Sequence, residues 1–172
     1  LDLVGRKLGM KKGAYFMNLL GLMGDTVARY KGQEGLRDLG EAVQTSVNIL
    51  ADTAMFFASC GKTGKFLVPV NNAYPFLMMM GKVVSGWFLF WQAGIAGEKL
   101  DALAKKGGVS GSDHAALAGL AKTSKDAAFY LGKIASAQYF IRNVLPEVEA
   151  AAKAAKTEDM SVVEIPEESF AS

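Results

Sequence analysis

Cys60-Gly61-Lys62-Thr63 contains the Gly-Lys-Thr of a phosphate-binding loop. Such a loop needs a further glycine five positions before the glycine that precedes the lysine, so that consecutive backbone N–H groups wrap a phosphate. Phe56 stands there, and a helical rather than a strand-like pattern leads into it. The phosphate cradle is absent, and the segment reads as a helix–helix loop. Cys60 is the one cysteine and His114 the one histidine. A cysteine nucleophile needs a base within hydrogen-bond reach; the sequence leaves that pairing open, while Cys60 equally suits a buried apolar position. His114, beside Asp113, falls short of the three or four ligands of a zinc site and reads as a surface residue at a helix start. No Glu-x-x-His occurs, and the apolar faces carry no set of four inward carboxylates, which excludes a di-iron bundle.

With no complete catalytic set in view, composition decides the class. The 172 residues fit one domain with a short appendage. They are 51% apolar and 21% charged, ordinary for a globular chain. The net charge of +2 lacks the clustered basic excess of a nucleic-acid binder; Arg6, Lys7, Lys11 and Lys12 read as a solvated helix end, where cations are favoured. A single cysteine implies no disulfide framework. No signal peptide is visible, since Asp2, Arg6 and Lys7 interrupt the first residues. A cytoplasmic location is therefore expected, and the missing initial methionine suggests a fragment or a processed product. Val83 to Gly97 is uncharged, but its fifteen residues fall short of the roughly 20 that cross a bilayer. A buried core helix is expected there.

Apolar residues at steps of three and four dominate the chain. Leu1 to Leu8 reads as the end of a helix with Gly9 as its stop. Phe16, Leu19, Leu20, Met23, Val27 and Tyr30 make one face of a helix over 14–30. Leu36, Leu39, Val43, Val47, Leu50, Ala54 and Phe57 do the same over 36–60. Phe66 to Asn72 contains Pro69 and has no clear period; Val68 and Val70 suit a short extended piece. Ala73 to Lys105 reads as a long helix with Pro75 in its first turn, where proline is tolerated. After a Gly/Ser loop, Ser112 or Asp113 caps a further helix whose repeat runs Leu117, Leu120, Ser124, Ala127, Leu131, Ile134, Gln138, Ile141, Leu145. Pro146 breaks it, and Glu147 to Lys156 resumes as a short helix. Thr157 to Ser172 is acidic and aperiodic, an extended tail with Val162, Val163, Ile165 and Phe170 available to pin it. The expected fold is all-α: an antiparallel bundle of about four main helices with an extended C-terminal tail.

The long helix carries the remaining functional candidates. Its aromatic and methionine residues occupy more than one face, so it is central or covered by another surface. Phe76, Met80, Trp87, Phe90 and Trp91 are the expected docking residues, and core packing or a subunit interface is favoured over an apolar ligand pocket. Gly81, Gly86, Gly94 and Gly97 weaken this helix intrinsically, which points to close approach of a neighbouring helix.

Several stretches taken in order resemble one family. Leu1-Asp2-Leu3-Val4-Gly5-Arg6-Lys7-Leu8 is similar to the last helix of the catalytic part of broad acyl-CoA dehydrogenases. Ala73-Tyr74-Pro75-Phe76 through Gly81, Val84, Gly86 and Trp87 resembles the central helix of their extra C-terminal domain. Ala128-Phe129-Tyr130, Lys133, Ala135, Tyr139-Phe140 and Leu145-Pro146 resemble its last long helix, and Ile165-Pro166-Glu167-Glu168-Ser169-Phe170 its ending. Enzymes acting on 3-methylmercaptopropionyl-CoA are among the similar members. The resemblance implies three segments: residues 1–12 as the end of the upstream dehydrogenase domain, 13–156 as the C-terminal bundle and 157–172 as an acidic tail. It implies a parent that oxidises an acyl-CoA to a trans-2-enoyl-CoA, with a glutamate removing the α proton and FAD accepting the β hydride. Both the glutamate and the main flavin contacts then lie upstream of Leu1, so no catalytic, cofactor or metal residue is assigned here, Glu34 and Glu98 included. The implied partners are the chain's own catalytic domain, sister subunits of a homo-oligomer and, for the parent, the acyl-CoA. Two other readings compete: a stand-alone helical interaction protein using the Phe76–Trp91 face, and an apolar-ligand carrier, which lacks convergent polar groups to orient a head group.

Overall fold

The periodicities of three and four become helices at the expected places. The computed structural model describes residues 1–111 and 113–170. Ala14–Tyr30 forms α1, Arg37–Lys62 α2, Leu67–Asn71 α3, Ala73–Lys106 α4, His114–Thr123 α5, Lys125–Asn143 α6, Glu147–Ala155 α7 and Ser161–Glu164 α8. No strand occurs among the described residues. The four long helices α1, α2, α4 and α6 make an all-α bundle, with α4 packed against α1, α2, α6 and α7.

The inward faces are those read from the spacing. Met23, Val27 and Tyr30 of α1 meet Leu39, Val43, Val47, Leu50 and Phe57 of α2, and Phe76, Met79, Val83 and Phe90 of α4 fill the space between. A smaller second core holds Leu100 and Ala104 of α4, Leu117 of α5 and Ala127 of α6. Ser46 and Thr53 are the buried polar residues. Each hydroxyl donates to the carbonyl four residues back, Ala42 and Ile49, which removes the cost of an unpaired buried donor.

Four local expectations are corrected or refined. Phe66 to Asn72 is not extended: Leu67–Asn71 is a helical turn, and the Asn72 side chain donates to the Val68 carbonyl. The repeat from Leu117 to Leu145 is two helices. Ser124 is extended (φ −120°, ψ 113°), and its Oγ accepts from the Ala127 N–H at 3.2 Å, so a residue read as part of the seam is an N-cap. Gly9 does follow the end of the first segment, but in right-handed backbone (φ −85°), so the left-handed turn is made further on. Leu3–Lys7 is a π-helical turn, and the chain reverses through Lys11, Lys12 and Gly13 at φ 51°, 58° and 84°. The hydrophobics of the tail do not pin it, because Val162, Val163, Ile165 and Phe170 are all exposed. Polar contacts hold it instead: Lys65 pairs with Glu158, and Asn71 Nδ2 donates to Met160 Sδ at 3.5 Å. Within the tail, Ser161–Glu164 and Glu167–Phe170 are short helical turns.

Other boundaries follow the reading. Asp113 caps α5 through the Ala116 N–H at 3.0 Å; the alternative cap, Ser112, lies outside the described residues, as do the last two residues of the tail. Pro146 separates α6 from α7 and serves as the entry residue of α7. Lys82 of α4 pairs with Glu147, and Asp52 of α2 pairs with Lys156, so both ends of α7 are tied to the bundle.

The glycines of α4 are explained unequally. A Cβ on Gly94 would lie 2.4 Å from the Tyr30 ring, and one on Gly86 3.2 Å from Leu145, so both admit a neighbour directly against the helix backbone. One on Gly97 would meet the Gln33 side chain at 2.7 Å, whereas Gly81 faces open space. Tyr30 is fully buried and cannot swing away. Gly94→Ala is therefore expected to lower the unfolding free energy by about 1–3 kcal/mol through overpacking. Gly81→Ala is expected to raise it by about 0.5–1 kcal/mol. Denaturant titrations of the two variants read the contrast, and equal shifts would contradict the seat of Tyr30 on α4.

Candidate functional site

The five docking candidates separate once α4 is placed. Phe76 and Phe90 are fully buried and Trp87 nearly so, inside this chain's own core; Met80 is half-buried. Only Trp91 is exposed, at 38%. The aromatic excess is real, but the bundle itself covers most of it. What remains outward on α4 is a different row: Tyr74, Leu77, Met78, Phe88, Trp91 and Ile95. Trp87, Phe88 and Trp91 stack, with centroids 4.5 to 6.4 Å apart, and carry the core to the surface in one run of rings. The Trp87 indole N–H is buried without a hydrogen-bond partner among the described residues.

Two concavities flank the bundle. One, of about 560 Å³, lies where the α1–α2 loop meets α4, α5 and α6. Leu36, Ala93, Leu100 and Leu117 form its floor, and Gln33, Glu34, Asp101, Lys105, His114 and Gln138 its rim. The charged rim residues are exposed, and their signs are mixed. The other, of about 710 Å³, is almost wholly apolar. Its walls come from the N-terminal segment (Val4, Leu8, Lys12), from α1 (Phe16, Leu20) and from α2 and its sequel (Met55, Phe57, Phe66, Val70). This groove was not legible in the sequence, because its three walls come from separate stretches. Its one signal was a row of apolar residues on the outer sides of α1 and α2.

The reactive residues stay apart. His114 lines the polar cleft, while Cys60 is buried at the end of α2 beside Lys65 and Glu158. The Gly-Lys-Thr segment is not a loop through Lys62: Gly61 and Lys62 are the last residues of α2, and the Thr63 hydroxyl donates back to the Ser59 and Cys60 carbonyls. Glu98 faces Arg29 at 4.0 Å, and Glu34 lies on the cleft rim. No group of three or more His, Cys, Asp or Glu able to hold a metal occurs among the described residues.

A profile of the family described as "acetyl-CoA dehydrogenase C-terminal like" matches residues 19–166. The chain belongs to that family. A butyryl-CoA dehydrogenase of Syntrophomonas wolfei subsp. wolfei is 29% identical over 171 residues, covering 98% of this chain and 25% of that protein. A further match to a butyryl-CoA dehydrogenase of the same organism is 46% identical over 54 residues, 31% of this chain and 9% of the relative. A broad-specificity linear acyl-CoA dehydrogenase of Mycobacterium tuberculosis is 32% identical over 95 residues, 55% of this chain and 13% of that protein. The chain thus spans about a quarter of the first relative's length. The family match begins inside α1, so the segment that walls the apolar groove precedes it.

Helix α4 is long and apolar enough by length and composition to cross a membrane, but Phe76, Met79, Val83 and Phe90 lie in the bundle's core. It is accounted for as the central helix of this domain.

Burial, and then the neighbouring Glu158 charge, pushes the Cys60 thiol above its ordinary value. At any given pH, less of Cys60 is therefore thiolate than of an exposed thiol. Alkylation of Cys60 at pH 8 is expected to run at least about tenfold slower than that of an exposed thiol, since the thiolate is the reacting form. Mass spectrometry of iodoacetamide time courses measures this; a rate matching free cysteine would contradict the burial.

Proposed function

We propose that this chain is the C-terminal helical domain of an FAD-dependent acyl-CoA dehydrogenase and that it contributes structure and interface rather than chemistry. The carrying observation is the family match over residues 19–166, joined to a relative that matches nearly all of this chain yet is about four times as long. The parent oxidises an acyl-CoA to the trans-2-enoyl-CoA, with base and flavin supplied outside residues 1–172. The separation of Cys60 from His114 supports that division of labour, since a cysteine nucleophile needs a base within hydrogen-bond reach. The parent is a soluble cytoplasmic homo-oligomer, and the outward row on α4 is the surface offered to a neighbouring subunit. An apolar row of this extent on a small domain marks an interaction site.

The experiment is made on the whole polypeptide. Purified full-length protein is expected to carry flavin visible near 450 nm and to bleach on addition of butyryl-CoA or a longer linear acyl-CoA. Residues 1–172 expressed alone are expected to bind no flavin and turn over no acyl-CoA. Turnover by the short piece, or a full-length protein without flavin, would overturn the reading. A Trp87 substitution is a poor probe of docking, because it empties core volume. Phe88→Ser with Trp91→Ser alters the exposed row, and loss of oligomer by light scattering with the helical signal kept is the expected result.

A further inference from the structure

The outward row of α4 reads alike in both directions. Gly81 and Ser85 are exposed between its large side chains, and Gln92 lies beside Trp91. Reversing the helix about the point between Val84 and Ser85 exchanges Tyr74 with Ile95, Leu77 with Gln92, Met78 with Trp91 and Gly81 with Phe88. The exchange sets unlike shapes opposite each other, so that each ring meets a non-aromatic side chain or a gap. Phe88 is a braced knob, stacked on Trp87 and Trp91 with centroids 4.5 and 6.4 Å away. Gly81 is the gap. A Cβ there would meet nothing within 4 Å, so no contact among the described residues accounts for a glycine that weakens the helix.

We infer that this row is covered by the same row of a second copy, with the two α4 helices antiparallel about a two-fold axis beside Ser85 and each Phe88 ring resting on Gly81 of the partner subunit. This deepens the reading of the row as a subunit surface and rests on it. A two-fold interface brings one patch onto itself, which is what a row that survives reversal permits. The area fits. Tyr74, Leu77, Met78, Phe88, Trp91 and Ile95 are between 38% and 71% exposed. At about 200 Å² for a large side chain they present on the order of 600 Å², and Gly81, Ser85 and Gln92 bring the row toward the roughly 800 Å² per partner of a stable interface. The composition fits as well, since interface centres are rich in aromatic residues and methionine and poor in charge. Between Pro75 and Glu98 the one charged residue is Lys82, which is paired with Glu147, so bare like charges do not meet across the axis. A lipid surface fits less well. It favours a cationic rim beside the apolar row, whereas the charges here pair off, Lys82 with Glu147 and Arg29 with Glu98. The stability gain expected of Gly81→Ala belongs to the single chain; across this pair the same methyl stands under a ring and weakens the dimer.

The test uses the full-length polypeptide with cysteines placed on α4, mild oxidation and non-reducing gels. Ser85→Cys is expected to give at least about tenfold more covalent dimer than wild type, because facing thiols react at the effective concentration of a held pair. Met78→Cys alone is expected to match wild type, whereas Met78→Cys combined with Trp91→Cys links. Tyr139→Cys, exposed on α6, controls for chance collision. Phe88→Glu is expected to abolish the Ser85→Cys link. Adding Gly81→Lys restores it, since each new carboxylate then faces a new ammonium on the partner subunit. Wild-type levels of dimer from Ser85→Cys would overturn the pairing, and so would linking by Met78→Cys alone, which a parallel pair permits and this one does not. If Phe88→Ser with Trp91→Ser then disperses the oligomer, the pairing alone falls; if the oligomer stays intact, the reading of the row as a subunit surface falls with it. Binding to phosphatidylglycerol vesicles that the two serines abolish, with Ser85→Cys unlinked, would overturn the pairing in favour of a membrane.

Discussion

The constraint on which the rest depends is that α4 has no polar side. Between Pro75 and Glu98 its one charged residue is Lys82, and that is drawn to Glu147. A helix apolar all round must be surrounded. The other long helices supply most of the surround: α1, α2 and α6 each lay their apolar face on α4 and α7 closes the end, which leaves the row from Tyr74 to Ile95 outward. The glycines are part of the same solution. Gly94 lets the Tyr30 ring rest on the helix backbone, and Gly86 does so for Leu145. Each glycine costs about 0.5–1 kcal/mol relative to alanine. Burying a large apolar side chain returns about 1.5–3 kcal/mol, so the notches are net stabilising.

That arrangement also sets where the polar groups lie. The apolar residues of each helix are spent on contact with α4, and the carboxylates, His114 and the lysines fall on the outer faces, where the ion pairs are exposed and screened by solvent. Catalytic carboxylates are usually shifted by burial or close partners. Asp2 is lowered by the Arg6 guanidinium, and Asp159 by the N–H and hydroxyl of Ser161. Both shifts come from local pairing at the ends of the chain.

Much of this was legible in the sequence because period is. Residues such as Met23, Val27 and Tyr30, or Leu39, Val43 and Leu50, announce one buried face, and their helices lie where the spacing puts them. Interruptions were less legible. Ser124 sits at a step of the seam, so its cap was hidden by the period continuing across the break; the signal was the serine followed by Lys125 and Asp126, a start motif. Pro69 in Leu67–Asn71 misled the same way, since proline suits a helix's first turn as well as an extended piece. The buried side of α4 follows the same period, since Phe76, Val83, Trp87, Phe90 and Gly94 fall at its steps and are buried, while Phe88 falls off them and is exposed. What the period could not tell is what covers that face: the bundle itself does, with Gly40 of α2 against Phe90.

The two apolar surfaces left over share no residue and no helix: the groove uses the N-terminal segment, α1, α2 and α3, while the outward row belongs to α4. One rigid neighbour presenting a single element cannot cover both. On the proposed reading the α4 row is the surface that meets a sister subunit. On that reading the domain would act on turnover through position alone, because catalytic geometry is sensitive to displacements of about 1 Å. Coupling between the two surfaces would have to pass through the α1–α2–α4 core. That core is closely packed, with Tyr30 locked over Gly94 and Phe90 against Gly40, and such packing transmits displacement rather than absorbing it.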